Sequence, residues 1–119
     1  MQIFRFDSSV SRKITQFSST GVKISPIMRT DGKLQAGCIH FAAHSVLGFH
    51  PAVVKQLFLV VAGSGWVRSK TTEKVPIMSG QAVFWEAGEN HESGSETGMT
   101  VIVIEGPGVD PSLLMPANK

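Results

Sequence analysis

The sequence predicts an all-β protein, and three observations carry that prediction. Apolar and β-branched residues recur with a period of two, the runs are short and broken by Gly, Pro, Asn and Ser, and no segment holds helical spacing for three turns. With 119 residues, 42% of them apolar and 17% charged, the chain is long enough for one core and too apolar for a disordered segment. We therefore expect residues 1–119 to form a single domain.

Taken in order, the opening MQIFRFDSSV lacks the long apolar run and small-residue cleavage site of a signal segment, so a cytoplasmic location is expected. Ser11–Phe17 reads equally as a short helix or an edge strand. Alternation then predicts strands at Val22–Arg29, Leu34–Ala43, Gln56–Ala62, Gly65–Lys70, Lys74–Met78, Gln81–Trp85 and Thr100–Glu105. Turn chemistry separates them at Thr30-Asp31-Gly32, Gly63-Ser64-Gly65, Ser79-Gly80, Ala87-Gly88-Glu89-Asn90 and Gly94-Ser95. From Pro107 onward the chain reads as a tail that packs over the body or frays.

Two strands are apolar on both faces. In QLFLVVA, Gln56, Phe58 and Val60 share one side and Leu57, Leu59 and Val61 the other; in TVIVIE, Ile102 and Ile104 oppose Val101 and Val103. A small barrel covers one face of each sheet by itself, so Leu57, Leu59, Val61, Val101 and Val103 need another cover. A homodimer is the expected cover, with the chain's own N-terminal segment and C-terminal tail as the alternative.

Charge narrows the partners. The net charge is only +2 and the 11 Lys and Arg are scattered rather than aligned to neutralise successive phosphates, so nucleic acid is not an expected partner. No run approaches the ~18 apolar residues of a membrane span, so no membrane association is expected. The single cysteine, Cys38, excludes an internal disulfide and a Cys-rich zinc site.

Two histidines stand where chemistry is expected. His50 precedes Pro51 and the doubly apolar strand that Gln56 opens, and His91 follows the turn beyond Trp85. The stretch HSVLGFHPAVVKQLFLVVAG resembles the first motif of the cupin superfamily, with His50 at its first histidine, Gln56 at its glutamate and Gly63 at its closing glycine. The stretch GQAVFWEAGENHESGS resembles the second motif, with Gly80, Gly88 and His91 in place, and sixteen residues separate Gly63 from Gly80. The resemblance spans about residues 34 to 105, and it implies a double-stranded β-helix, the jelly-roll conical barrel of small single-domain cupins. The N-terminal segment and C-terminal tail would then pack on that barrel.

The departures bear on chemistry. His44 replaces the first motif's opening glycine, Ala52 its second histidine and Gln56 its glutamate, while Glu86 and Ser95 replace the second motif's proline and asparagine. The resemblance places a metal set at His50, Ala52, Gln56 and His91. An alanine cannot ligate, and Gln56 offers only a neutral carbonyl oxygen, so His50, Gln56 and His91 remain as candidate ligands for a divalent Mn, Fe, Zn or Ni ion. Glu86 or Glu92 could supply the missing oxygen, although Glu92 directly follows His91 and would point to the opposite face of an extended segment. Without metal, His50, Gln56, His91, Phe58 on the face of Gln56, and Trp85 would form a pocket for a small polar molecule. His40 is expected to be structural and His44 a surface residue in a turn.

Three functions fit these residues. The favoured one is a small-molecule-binding barrel with a weak or degenerate metal site, followed by a metal-dependent oxygenase or isomerase built on His50 and His91, and then a protein whose barrel is merely filled. Fold alone does not choose between them.

Overall fold

The computed structural model describes residues 1–118. Its strands are β1 (Gln2–Arg5), β2 (Arg12–Lys13), β3 (Lys23–Ile24), β4 (Gln35–Phe41), β5 (Ser45–Pro51), β6 (Gln56–Ser69), β7 (Val75–Met78), β8 (Gln81–Trp85), β9 (Asn90–Ser95) and β10 (Met99–Glu105). All pairings are antiparallel, and β2 and β3 form a separate two-stranded hairpin. One sheet runs β1-β8-β6-β10-β4 and the other β5-β9-β6-β7, so β6 belongs to both.

That double membership corrects the predicted turn at Gly63-Ser64-Gly65. The two strands read on either side of it are one strand of 14 residues that bends and does not reverse. The bend has a local cause. The ladder to β10 slips between Thr100 and Val101, and Gly63 takes a φ of +78°, with the Gly98 carbonyl oxygen 2.3 Å from where a Cβ would stand. Only glycine fits a positive φ with a backbone that close. Beyond the bend, β6 leaves β10 and β8 and pairs with β7 and β9.

Other elements also differ from expectation. Val22–Arg29 shrinks to β3, and Ser11–Phe17 contributes only β2. Three strands were not foreseen, namely β1, β5 and β9. Among the described residues no helix is long and apolar enough to cross a membrane.

The period-two faces sort into two cores. Phe58, Val60, Val67, Ile77, Val83, Trp85, Val101 and Val103 pack between the sheets. Leu57, Leu59, Ala82 and Phe84 point outward from the first sheet, where Phe4, Val109 and Met115 bury them together with Ile27, Met28, Ile102 and Ile104. Leu57 and Leu59 are 0% and 2% exposed, each burial being worth about 1.5–3 kcal/mol. The second apolar face is therefore covered by the chain's own N-terminal and C-terminal segments, which removes the reason the sequence offered for a dimer. Val101 and Val103 face inward and need no outside cover, while Val61, displaced at the slip in register, is exposed. The tail is tied down by backbone bonds, Arg5 N–H to the Pro116 carbonyl at 3.0 Å and Asn118 N–H to the Ile3 carbonyl at 2.8 Å.

Candidate functional site

Register brings the two histidines together. His50 on β5 lies directly opposite His91 on β9, and their rings stand 4.5 Å apart between centroids at an angle of 60°. Alternation along β9 buries His91, Ser93 and Ser95, whereas Glu92 pairs across the sheet with Arg68 on the other face, its carboxylate accepting from the guanidinium at 2.7 Å. Glu86 is exposed beyond β8. Neither glutamate supplies an oxygen beside the imidazoles.

Both rings are oriented by backbone carbonyls. His91 Nδ1 donates to the Glu89 carbonyl at 3.0 Å, and His50 Nδ1 donates to the Gly48 carbonyl at 2.7 Å. A carbonyl only accepts, so the hydrogen of each neutral ring sits on Nδ1 and the lone pair on Nε2. Burial pushes the His91 pKa below the ordinary 6.5; the bond to the Glu89 carbonyl opposes this and the charge of His50 adds to it. The neutral form of His91 is thereby favoured.

Gln56 and Phe58 join the histidines around a cavity of about 230 Å³, with Ser93 and Glu105 also in its wall. Glu105 had not been singled out. It ends β10 opposite Gln56 on one side and Gln35 on the other, and the Gln56 amide donates to its carboxylate at 2.8 Å. The signal was available in the sequence, since Glu105 continues the inward face of Val101 and Val103, but that assignment required the correct register. Ser93 was also missed. Its hydroxyl is fully buried and has no hydrogen-bond partner.

Two named positions lie elsewhere. Trp85, expected in the ligand wall, is buried behind it. Its indole stacks on the His91 ring at 3.9 Å and 17°, meets Phe58 edge-on at 5.3 Å, and holds the imidazole from the core side. Ala52 is 2% exposed in the apolar core, where its N–H donates to the Glu89 carbonyl at 3.1 Å and its carbonyl accepts from Gly88 N–H at 2.7 Å. Those two bonds pin the turn that carries His91. His40 is exposed on β4, and His44, at φ 58° in the β4–β5 turn, reaches the Glu96 carboxylate at 2.8 Å on the surface.

The residues present do not complete the metal set that the resemblance implies. Among the described residues no group of three or more His, Cys, Asp or Glu side chains is placed to hold a metal ion. His50 and His91 offer two lone pairs, Ala52 none, and Gln56, whose Nε2 donates to Glu105, only a neutral carbonyl oxygen.

A two-sheet jelly roll with a polar recess between its sheets defines a class of barrel proteins, and comparison with solved structures names it. A RmlC-like cupin from Shewanella frigidimarina is 21% identical, with 68% of this chain and 72% of that one aligned at a TM-score of 0.59. A cupin superfamily protein from Desulfitobacterium hafniense is 13% identical over 79% of this chain and 89% of that one, at a TM-score of 0.57. A predicted oxalate decarboxylase from Thermotoga maritima is 19% identical over 58% of this chain and 62% of that one, at a TM-score of 0.53. The chain has the cupin fold, a double-stranded β-helix. No protein-family description matches the sequence, and no curated protein matches it.

Proposed function

We infer that this protein binds a small molecule in the cavity between its sheets, with His50, Gln56, Phe58 and His91 as contact residues. One observation carries this reading: the cavity wall holds polar groups with unused hydrogen-bonding capacity, above all the Nε2 lone pairs of two carbonyl-anchored imidazoles, with the buried Ser93 hydroxyl as a further unpaired group. A buried hydroxyl without a partner costs about 1–3 kcal/mol. The indole Nε1 of Trp85 is unpaired in the same way in the core, so the ligand reading rests chiefly on the two imidazoles that line the cavity. Trp85 supports the site from behind and does not touch the ligand.

Metal-dependent catalysis is the second reading. The two Nε2 lone pairs favour it, because carbonyl-anchored imidazoles are how proteins present metal ligands. It lacks a third protein ligand and a named base. An exposed Cys38 suits a reducing compartment, and we keep the cytoplasm as the place of action.

The test follows the ring signals of His50 and His91 by NMR in a chelator-treated sample, during titration with a library of small polar fragments. Binding should shift both rings together, and a hit should raise the melting temperature. If no fragment moves either ring at millimolar concentration, the binding reading fails. Stoichiometric metal retained through purification would promote the second reading over the first.

A further inference from the structure

The charge pattern of the cavity narrows the ligand. Glu105 is a half-buried carboxylate whose cross-strand neighbours are two neutral amides, Gln56 and Gln35, in a row across β6, β10 and β4. Among the described residues it takes part in no salt bridge, and no Lys or Arg lines the cavity. The Gln56 amide occupies one oxygen and, among the described residues, no cation lies within 4 Å of the carboxylate; Lys33 shares with Glu105 the wall of an adjoining recess and not of this cavity. A recess with low-dielectric walls concentrates the field of such a charge.

The imidazoles add to the same polarity. With each Nδ1–H committed to a carbonyl, the remaining ring nitrogens of neutral His50 and His91 accept hydrogen bonds and donate none. Phe58 and Val103 supply apolar wall beside them. An organic anion entering here would meet like charge at Glu105, and a neutral polyol would leave that charge unpaired.

We propose that the cavity takes a small organic cation, a protonated amine whose ammonium group pairs with Glu105 and whose carbon body lies against Phe58 and Val103. This rests on the reading of the cavity as a ligand site. A volume of 230 Å³ holds about eight water-sized groups, so the amine carries a body of roughly one small ring.

Calorimetric titration at pH 8, with EDTA present, compares cyclohexylamine, cyclohexanol and cyclohexanecarboxylate, which share a body and differ in charge. The amine should bind the parent at least about tenfold more tightly than either of the others. Glu105→Gln keeps the size of the side chain and removes the charge; it should weaken the amine at least about tenfold and leave cyclohexanol within about twofold, with near-ultraviolet circular dichroism confirming the fold. Cyclohexanol or the carboxylate binding the parent as tightly as the amine would overturn the proposal while leaving the cavity a ligand site. Amine binding that survives Glu105→Gln unchanged would overturn it too. If none of the three binds, the amine assignment falls, and the ligand-site reading falls only if the fragment titration of the His50 and His91 rings is also silent. The parent comparison needs no variant, so poor folding of Glu105→Gln would not shelter the proposal.

Discussion

Replacing Gln56 by Glu turns a hydrogen bond into a repulsion whose size follows from one distance. The amide nitrogen of Gln56 lies 2.8 Å from an oxygen of Glu105. Two unit charges at that separation repel by about 6 kcal/mol at an effective dielectric of ~20, and rotation of the side chains to ~5 Å lowers this to about 3 kcal/mol. The pair has another way out, which is to hold one proton. Relative to a free glutamate of pKa ~4.3, that costs about 1.4 kcal/mol per pH unit, hence about 1 kcal/mol at pH 5 and about 5 kcal/mol at pH 8. The cheaper route sets the deficit at each pH. Gln56→Glu should therefore be less stable than the parent by about 1 kcal/mol at pH 5 and about 3 kcal/mol at pH 8. The sign follows from proton counting: up to about pH 6.5, where the two routes cost the same, the folded variant binds more protons than its unfolded chain and its stability relative to the parent falls as pH rises; above that the deficit levels off. Urea unfolding of both proteins at the two pH values measures it. Equal stability at pH 8 would mean that Gln56 and Glu105 are not neighbours, and the charge argument for the cavity would go with it.

Three further outcomes are expected. Because burial holds His91 neutral in the fold, the unfolded chain takes up a proton more readily; in chelator, stability should be fully present above the ordinary pKa of 6.5 and decline as pH falls below it. Thermal melts at pH 7.5 and 5.5 should show that decline, made shallower by His91→Gln; an identical decline in the variant would assign it to another group. Leu59, 2% exposed, should tolerate Lys badly, losing about 4 kcal/mol or more, while Val61, 44% exposed, should accept Lys within about 0.5 kcal/mol. Similar losses at both positions in urea titrations would contradict the assigned faces. Gly63→Ala should cost about 2–4 kcal/mol, since it combines a positive φ with a Cβ set 2.3 Å from the Gly98 carbonyl oxygen; a loss below about 1 kcal/mol would show that the bend yields.

Strands with an apolar side were legible in the sequence because burial imposes the period of two, and Gln81–Trp85 carries its predicted bounds as β8. The strands β5 and β9 were not. NHESGS has the composition of a loop, yet its alternate side chains His91, Ser93 and Ser95 are all buried. A strand that lines a polar cavity loses the apolar signal by which strands are recognised. His50 and Gln56 were found through motif spacing, which survives such substitution. Glu105 and Ser93 match no motif position, and their place in the wall depends on register. The break at Gly63 misled for a different reason, since glycine marks bends and reversals alike.

The pairing order has a consequence for how this chain must fold. Strand β6 pairs only with strands that follow it, β7 to β10, while β1 waits for β8, β4 for β10 and β5 for β9. Apart from the β2–β3 hairpin, no strand before residue 70 has a partner before residue 70. A nascent chain halted there would carry the run Leu57–Val61 with its ladder open on both edges, at risk of pairing with a neighbouring copy. Neither sheet can close until β9 and β10 are available, so the early strands wait unpaired and assembly is slow by virtue of its long loops.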